Sequence, residues 1–157
     1  MHRPTLYIMC GLPFSGKTTL AHALADQCSC VHIDLDSLAN RKGFSPEEGV
    51  DDSQWGLLFS EAHEYLAALL SSGKSVVFDA VNYDRVGRDR LHAIARQNGS
   101  SACVVYLKLT LQELERRRNA NLDNRQRPNV REKDFEELAR DFDVPTVEEN
   151  LAHSELP

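Results

Sequence analysis

The stretch GLPFSGKTTLAHALA, Gly11 to Ala25, decides how the rest of the chain is read. Its beginning, Gly11 to Thr18, satisfies the pattern G-x-x-x-x-G-K-[ST] without a mismatch. Glycine at both ends of the loop lets the backbone turn tightly and approach a ligand where a Cβ would collide. Gly11, Pro13, Phe14, Ser15 and Gly16 form the loop, and Lys17, Thr18 and Thr19 open the helix behind it. Amide N–H groups from about Phe14 to Thr18 then converge on an anion at a helix N-terminus. Lys17 sets a point charge against the outer phosphates of a nucleotide, and the Thr18 hydroxyl ligates Mg²⁺. The stretch is a donor site; what receives the phosphate has to be sought elsewhere.

Outward from the loop, apolar runs alternate with helical patterns. TLYIMC (Thr5 to Cys10) precedes the loop as a short strand, and CVHID (Cys30 to Asp34) is a second. Apolar residues recur three and four apart from Trp55 to Leu70, which predicts a helix over 53–72 capped by Gly73. SVVFDA (Ser75 to Ala80) and ACVVYLKL (Ala102 to Leu109) are the third and fourth strands, separated by a helix over 86–97. Thr110 and Glu113 have capping-box spacing, and a last helix is expected over 131–142. Nearly continuous apolar strands separated by helices define an α/β chain whose parallel sheet is covered on both faces. In such sheets ligands bind beyond the carboxyl ends of the strands.

The chain has 157 residues, 41% hydrophobic and 27% charged, with room for one domain and no apolar run of membrane-spanning length. A cytoplasmic location and no membrane partner are expected. Cys10, Cys28, Cys30 and Cys103 lack a second pair at zinc-site spacing and read as small core thiols. The net charge of −6 disfavours nucleic acid as an obligatory partner.

Acids stand where strands end. Asp34 and Asp36 lie two apart at the end of the second strand, and extended geometry would turn both into one cleft. One acid there can deprotonate an acceptor hydroxyl while the other holds a metal; the alternative is a helix cap at Asp36 or Ser37. Asp79 closes the third strand in VVFDA, followed by Asn82, Arg85 and Arg88. His32 reads as packed or partly exposed. Farther on, LQELERRRNANLDNRQRPNVREKDF (Leu111 to Phe135) gathers Arg116, Arg117, Arg118, Arg125, Arg127 and Arg131. A helix and polar loop of this kind suit a lid whose guanidinium forks pair with phosphate oxygens.

Taken with HIDLDSL, SGKSVVFDAVNYDRVGRDRLHAIA, VVYLKLTLQELERRRNAN and FDVPTVEE, the loop resembles the small P-loop kinases. The resemblance is nearest to the AAA-family ATPase and predicted-kinase group that includes the kinase domain of polynucleotide kinase. Zeta-toxin and chloramphenicol phosphotransferase enzymes are more distant. It covers about residues 5–149 and implies a three-layer αβα P-loop NTPase fold, with about four to five parallel strands and a helical lid. It further implies ATP and Mg²⁺ as cofactors, Asp36 as the acid that activates the acceptor hydroxyl, and Thr18, Asp34 and Asp79 at the metal. Arg118 and Arg125 are the expected lid arginines, with Arg127 next to the nucleotide. The sequence departs from polynucleotide kinases at Ala39, where they carry an arginine, and NLAHSELP shows no clear fifth-strand pattern.

These features predict one kinase domain over 1–157, with a lid at about 116–131 and an acceptor-shaping segment at about 37–72. The expected acceptor is the hydroxyl of a small molecule. The cluster Glu47, Glu48, Asp51 and Asp52 raises the expectation of a cationic one. A polynucleotide 5′-hydroxyl kinase is the alternative, and a nucleotide-hydrolysing switch is the alternative from another class.

Overall fold

The computed structural model describes residues 2–153. Its elements in chain order are β1 (Thr5–Cys10), α1 (Lys17–Cys28), β2 (Val31–Asp34), α2 (Leu35–Arg41), α3 (Asp52–Ser71), β3 (Val76–Asp79), α4 (Arg85–Gln97), β4 (Ser101–Tyr106), α5 (Leu111–Asp123), α6 (Glu132–Asp141), a 3₁₀ turn (Val147–Glu149) and β5 (Leu151–His153). The five strands pair in the order β2-β3-β1-β4-β5, all parallel. This is the α/β P-loop NTPase-like fold.

Alternation along β1 explains the layers. Leu6, Ile8 and Cys10 join a core with Leu58, Leu66 and Leu91 from α3 and α4. Met9, one position out of phase, packs with Ala21 and Ala25 of α1, Val77 and Val105 on the other side. Successive side chains of a strand point to opposite faces, so a strand covered by helices on both faces must be apolar throughout. β3 is buried at all four positions, apolar from Val76 to Phe78 and closing on Asp79.

Most element ends lie within a residue or two of the sequence expectation. At the end of α3, Gly73 takes φ +85° and donates to the Leu70 carbonyl, while Lys74 donates to Leu69. These two bonds satisfy the last carbonyls of the helix. The exceptions are β4, which ends at Tyr106 rather than at the expected Leu109, and the C-terminal edge. β5 pairs with β4 through Leu151, Ala152 and His153, and so supplies the fifth strand that three residues of pattern are too short to announce.

The four cysteines are free, and Cys10 is buried with its thiol donating to the Asn82 carbonyl. Burial pushes that thiol up to about 12, the behaviour of an inert core group. Among the described residues no helix is long and apolar enough to cross a membrane.

The strand order puts the site in place. From β1 the chain runs to β2 and β3 on one side and to β4 and β5 on the other. The crevice at that reversal opens at the carboxyl ends of β1 and β3. Gly11 follows β1, and Asp79 ends β3 in register with Asp34 of β2.

Candidate active site

The loop between β1 and α1 is held in two left-handed residues, Phe14 at φ +73° and Gly16 at φ +89°. Gly16 is the N-cap of α1, no side chain caps the helix, and its first turn holds no acid. Those orphan amides and the positive end of the helix are left for an anion. The Ser15 hydroxyl is buried and without a partner. A Cβ on Gly11 would stand 2.7 Å from Ser15 Oγ and 3.3 Å from the Leu107 carbonyl, so close approach fixes this glycine. Gly11→Ala should therefore displace the loop and weaken ADP binding by about tenfold or more, a loss of one to two charge-assisted bonds. Calorimetric titration with ADP measures it, and an unchanged affinity would show that the loop absorbs the methyl.

Three carboxylates face this loop, though not in the expected geometry. Asp34 is extended but Asp36 already lies in the first turn of α2, so their spacing is not that of one strand face. Asp34 is the N-cap, accepting from the amides of Asp36 (3.0 Å) and Ser37 (3.4 Å) and from the Ser37 hydroxyl (2.8 Å). The cap therefore falls at Asp34, not at Asp36 or Ser37. Asp34, Asp36, Lys17 and Thr18 all line one cleft of about 860 Å³. Asp36 keeps contact with solvent through the cleft mouth. Crowding by its walls still pushes its carboxyl up, with Lys17 opposing, Asp34 adding and Arg127 opposing.

Asp79 is buried, with the Lys17 ammonium 3.8 Å away and His32 Nε2 at 2.9 Å. Burial alone would raise its pKa. The His32 hydrogen bond, the Lys17 charge and the Thr18 hydroxyl outweigh that and hold it below the ordinary value. His32 is raised in turn, chiefly by its bond to Asp79 and against its own burial. His32, Asp34 and Asp79 each offer a ligand atom within 4.8 Å of the others. Carboxylate oxygens are donors Mg²⁺ takes, so Asp34 and Asp79 of this group fit the ion, with the Thr18 hydroxyl beside Asp79. His32 was missed as a member of this group, because only the pairing of β2 with β3 brings it to Asp79.

The arginines divide by what they touch. Arg116 and Arg117 both pair with Glu113, and together they pull its carboxyl down to about 2. Thr110 caps α5 as expected, whereas the Glu113 side chain turns to these arginines. Arg117 also donates to the Phe14 carbonyl at 3.1 Å. Arg118 does not line the cleft: it lies over the Phe135 ring and reaches Glu132 at 3.6 Å. Arg125 lines the cleft but is paired with Glu47. Arg127 lies over the Phe14 ring, 4.4 Å from its centroid. Burial lowers its pKa, and Asp36, Asp79 and Asp34 oppose that. Of the three expected arginines, Arg127 is the one that lies against the loop and is acted on by the acids, while Arg118 is turned toward Phe135 and Arg125 is paired with Glu47.

A further expectation changes. The acids 47–52 do not form one anionic pocket. Asp51 caps α3 through the Gln54 amide, Asp52 sits in its first turn, and Glu47 is held by Arg125. Asn82 turns inward at φ +49° and donates to the Met9 carbonyl at 2.6 Å, a structural bond rather than a cleft contact.

Comparison with known proteins agrees with the architecture. A profile of the AAA domain family AAA_33 matches residues 6–145, and the chain belongs to this family. Among solved structures it is similar to Chaetomium thermophilum Kti12 in complex with ADP-AlF3. That match has a TM-score of 0.77 at 19% identity, over 95% of this chain and 88% of that one. A gluconokinase from Sinorhizobium meliloti 1021 gives 0.69 at 19% identity, over 98% and 83%. A chain of the Pnkp1/Rnl/Hen1 RNA repair complex gives 0.74 at 19% identity, over 90% and 44%. At these identities the likeness is one of fold. No curated protein sequence matches.

Proposed function

We propose that the chain is a kinase that transfers the γ-phosphate of ATP, with Mg²⁺, to a hydroxyl of a small molecule. The observation that carries the reading is Asp36 in the same cleft as Lys17 and Thr18, with the Arg127 guanidinium nearby. A donor site alone would serve a switch equally well. An acid facing the donor site gives the acceptor hydroxyl somewhere to leave its proton.

The roles follow from position. Loop amides and Lys17 bind the outer phosphates, and Thr18, Asp34 and Asp79 hold the metal. When bound, Mg²⁺ neutralises charge on the β- and γ-oxygens. Asp36 orients the acceptor and takes its proton as the new O–P bond forms and the bond to the β–γ bridging oxygen breaks. Arg127 meets the charge on the phosphoryl group in flight.

In this reading 1–157 is one catalytic domain, 116–131 its lid and 37–72 its acceptor side, and free thiols suit a cytoplasmic setting. A small acceptor is favoured over a polynucleotide end because position 39, where the resemblance to polynucleotide kinases calls for an arginine, is a fully buried alanine in α2.

The test is a metabolite screen with ATP and Mg²⁺, read by mass spectrometry for a product heavier by one phosphate. Asp36→Asn should abolish that product, a loss of at least about 10²-fold for a general base, with ADP affinity unchanged within about twofold. Full acceptor phosphorylation by this variant would reject the assignment. ATP hydrolysis stimulated by a protein partner, with no phosphorylated acceptor, would favour the switch.

A further inference from the structure

The segment joining α2 to α3 reaches across the cleft and takes hold of the lid. Glu47, half-buried, accepts the Asn129 N–H at 2.6 Å and pairs with the Arg125 guanidinium. One residue on, the Glu48 carbonyl accepts from Arg131 at 3.4 Å. Gly49 takes φ +100°, and a Cβ there would stand 2.5 Å from the centre of the Arg131 guanidinium. Arg131 is fixed from behind by Asp134 at 2.7 Å. Two lid arginines and one lid amide thus grip three consecutive residues of the acceptor side.

The lid turn is also stitched internally. Asn121, buried at the end of α5, accepts from the amides of Gln126 (3.0 Å) and Arg127 (3.1 Å) and donates to the Arg127 carbonyl (3.0 Å). It also donates to the Asn129 side chain. Arg127 is therefore clamped on both sides of its own peptide unit, and Asn129 links that clamp to Glu47. From Glu47 the bonds run to Asn129, to Asn121, to the Arg127 backbone, and end with the guanidinium over Phe14 of the phosphate loop.

We propose that Glu47 is a positioning residue for phosphoryl transfer, fastening the lid turn 124–131 across the cleft so that Arg127 is held over the donor site. The proposal rests on the kinase reading. It assigns Arg125 to the clasp, so that the guanidinium left for the transferring phosphate is that of Arg127. A charge-assisted contact to a carboxylate and a short bond from a backbone amide suit a fastening that orders the lid before the nucleotide arrives. The opposite role is also defined: Glu47 as a resting place from which Arg125 is released to the phosphate. The two roles predict opposite signs.

The experiment compares wild type, Glu47→Ala, Glu47→Gln and Asn121→Ala in the full chain. Amide exchange of 124–131 is followed without ligand, and calorimetry gives affinities for Mg·ADP and for Mg·ADP with aluminium fluoride. In Glu47→Ala, exchange over 124–131 should rise about tenfold, the loss of one charge-assisted anchor. ADP affinity should hold within about twofold, while the aluminium fluoride complex weakens about tenfold, the pattern of a contact used only in the transition state. Asn121→Ala should reproduce this selective loss from the lid side. Glu47→Gln, which retains an acceptor for the Asn129 amide, should fall between wild type and Glu47→Ala.

Unchanged exchange in Glu47→Ala would overturn the clasp. Tighter binding of the aluminium fluoride complex would overturn it in favour of the resting-place role, and an unchanged ratio to ADP would overturn the link to transfer. If wild type itself binds both probes equally, the kinase reading fails and the transfer role of Glu47 fails with it. Exchange then still shows whether the clasp exists.

Discussion

Lys17→Met is expected to lower Mg²⁺-dependent ATP turnover by about 10²–10³-fold, the range found when a preorganised charge or donor is taken from a transition state. Lys17 is the first residue of α1, its side chain is nearly enclosed, and its ammonium stands 3.8 Å from Asp79. It also opposes the rise in the Asp36 pKa. Removing it leaves Asp34, Asp36 and Asp79 facing a site meant for a polyanion, so ADP affinity should fall as well. Lys17→Arg should not rescue, because a planar guanidinium does not fit the space of a compact ammonium. Turnover and ADP titration on the same preparations separate the two effects. Turnover near wild type would remove Lys17 from the donor site.

The second large effect is on stability. Arg88 and Glu149 have fully buried side chains, joined Nε to Oε1 at 2.7 Å. Arg88 also donates to the Asn82 carbonyl at 2.9 Å, and Glu149 accepts the Thr146 amide at 2.8 Å. The pair therefore ties α4 to the turn that leads into β5. Arg88→Met leaves a buried carboxylate with only the partly exposed Arg85 guanidinium at 3.8 Å for a cation and should cost about 3–5 kcal/mol. For a chain of this size that lowers the melting midpoint by about 6–20 °C. Arg88→Met/Glu149→Leu should recover much of the loss, since neither partner is then stranded. Urea and thermal unfolding of the single and double variants measure this. A single variant within about 1 kcal/mol of wild type would mean that Arg85 or water takes the place of Arg88 at Glu149.

The site was legible in the sequence to the extent that its chemistry is local. A phosphate loop is a run of adjacent residues with a strand before and a helix after, and a linear pattern records it. Nearly continuous apolar runs marked four strands, and capping residues set several helix ends. Asp34 shows where local reading falls short. Its position was evident, but only the start of α2 directly after β2 turned it into a cap and moved Asp36 off the strand face. The arginines between Arg116 and Arg131 were harder still. Six guanidinium groups look alike in a string, and they separate only when Glu113, Glu47, Asp134 and the Phe135 ring engage some of them.

What the sequence by itself determined is the donor half: a loop whose glycines, lysine and threonine admit one geometry, in a parallel α/β sheet that buries apolar strands on both faces. Tertiary structure decided the rest. It brought His32 to Asp79 across two strands, placed Arg127 rather than Arg118 beside the loop, and joined Glu47 to the Asn129 amide 82 residues away in the chain. The physical reason is the same in each case. A hydrogen bond or ion pair acts over about 3 Å of space, and residues distant in sequence carry no local sign of which partner the fold will bring within that reach.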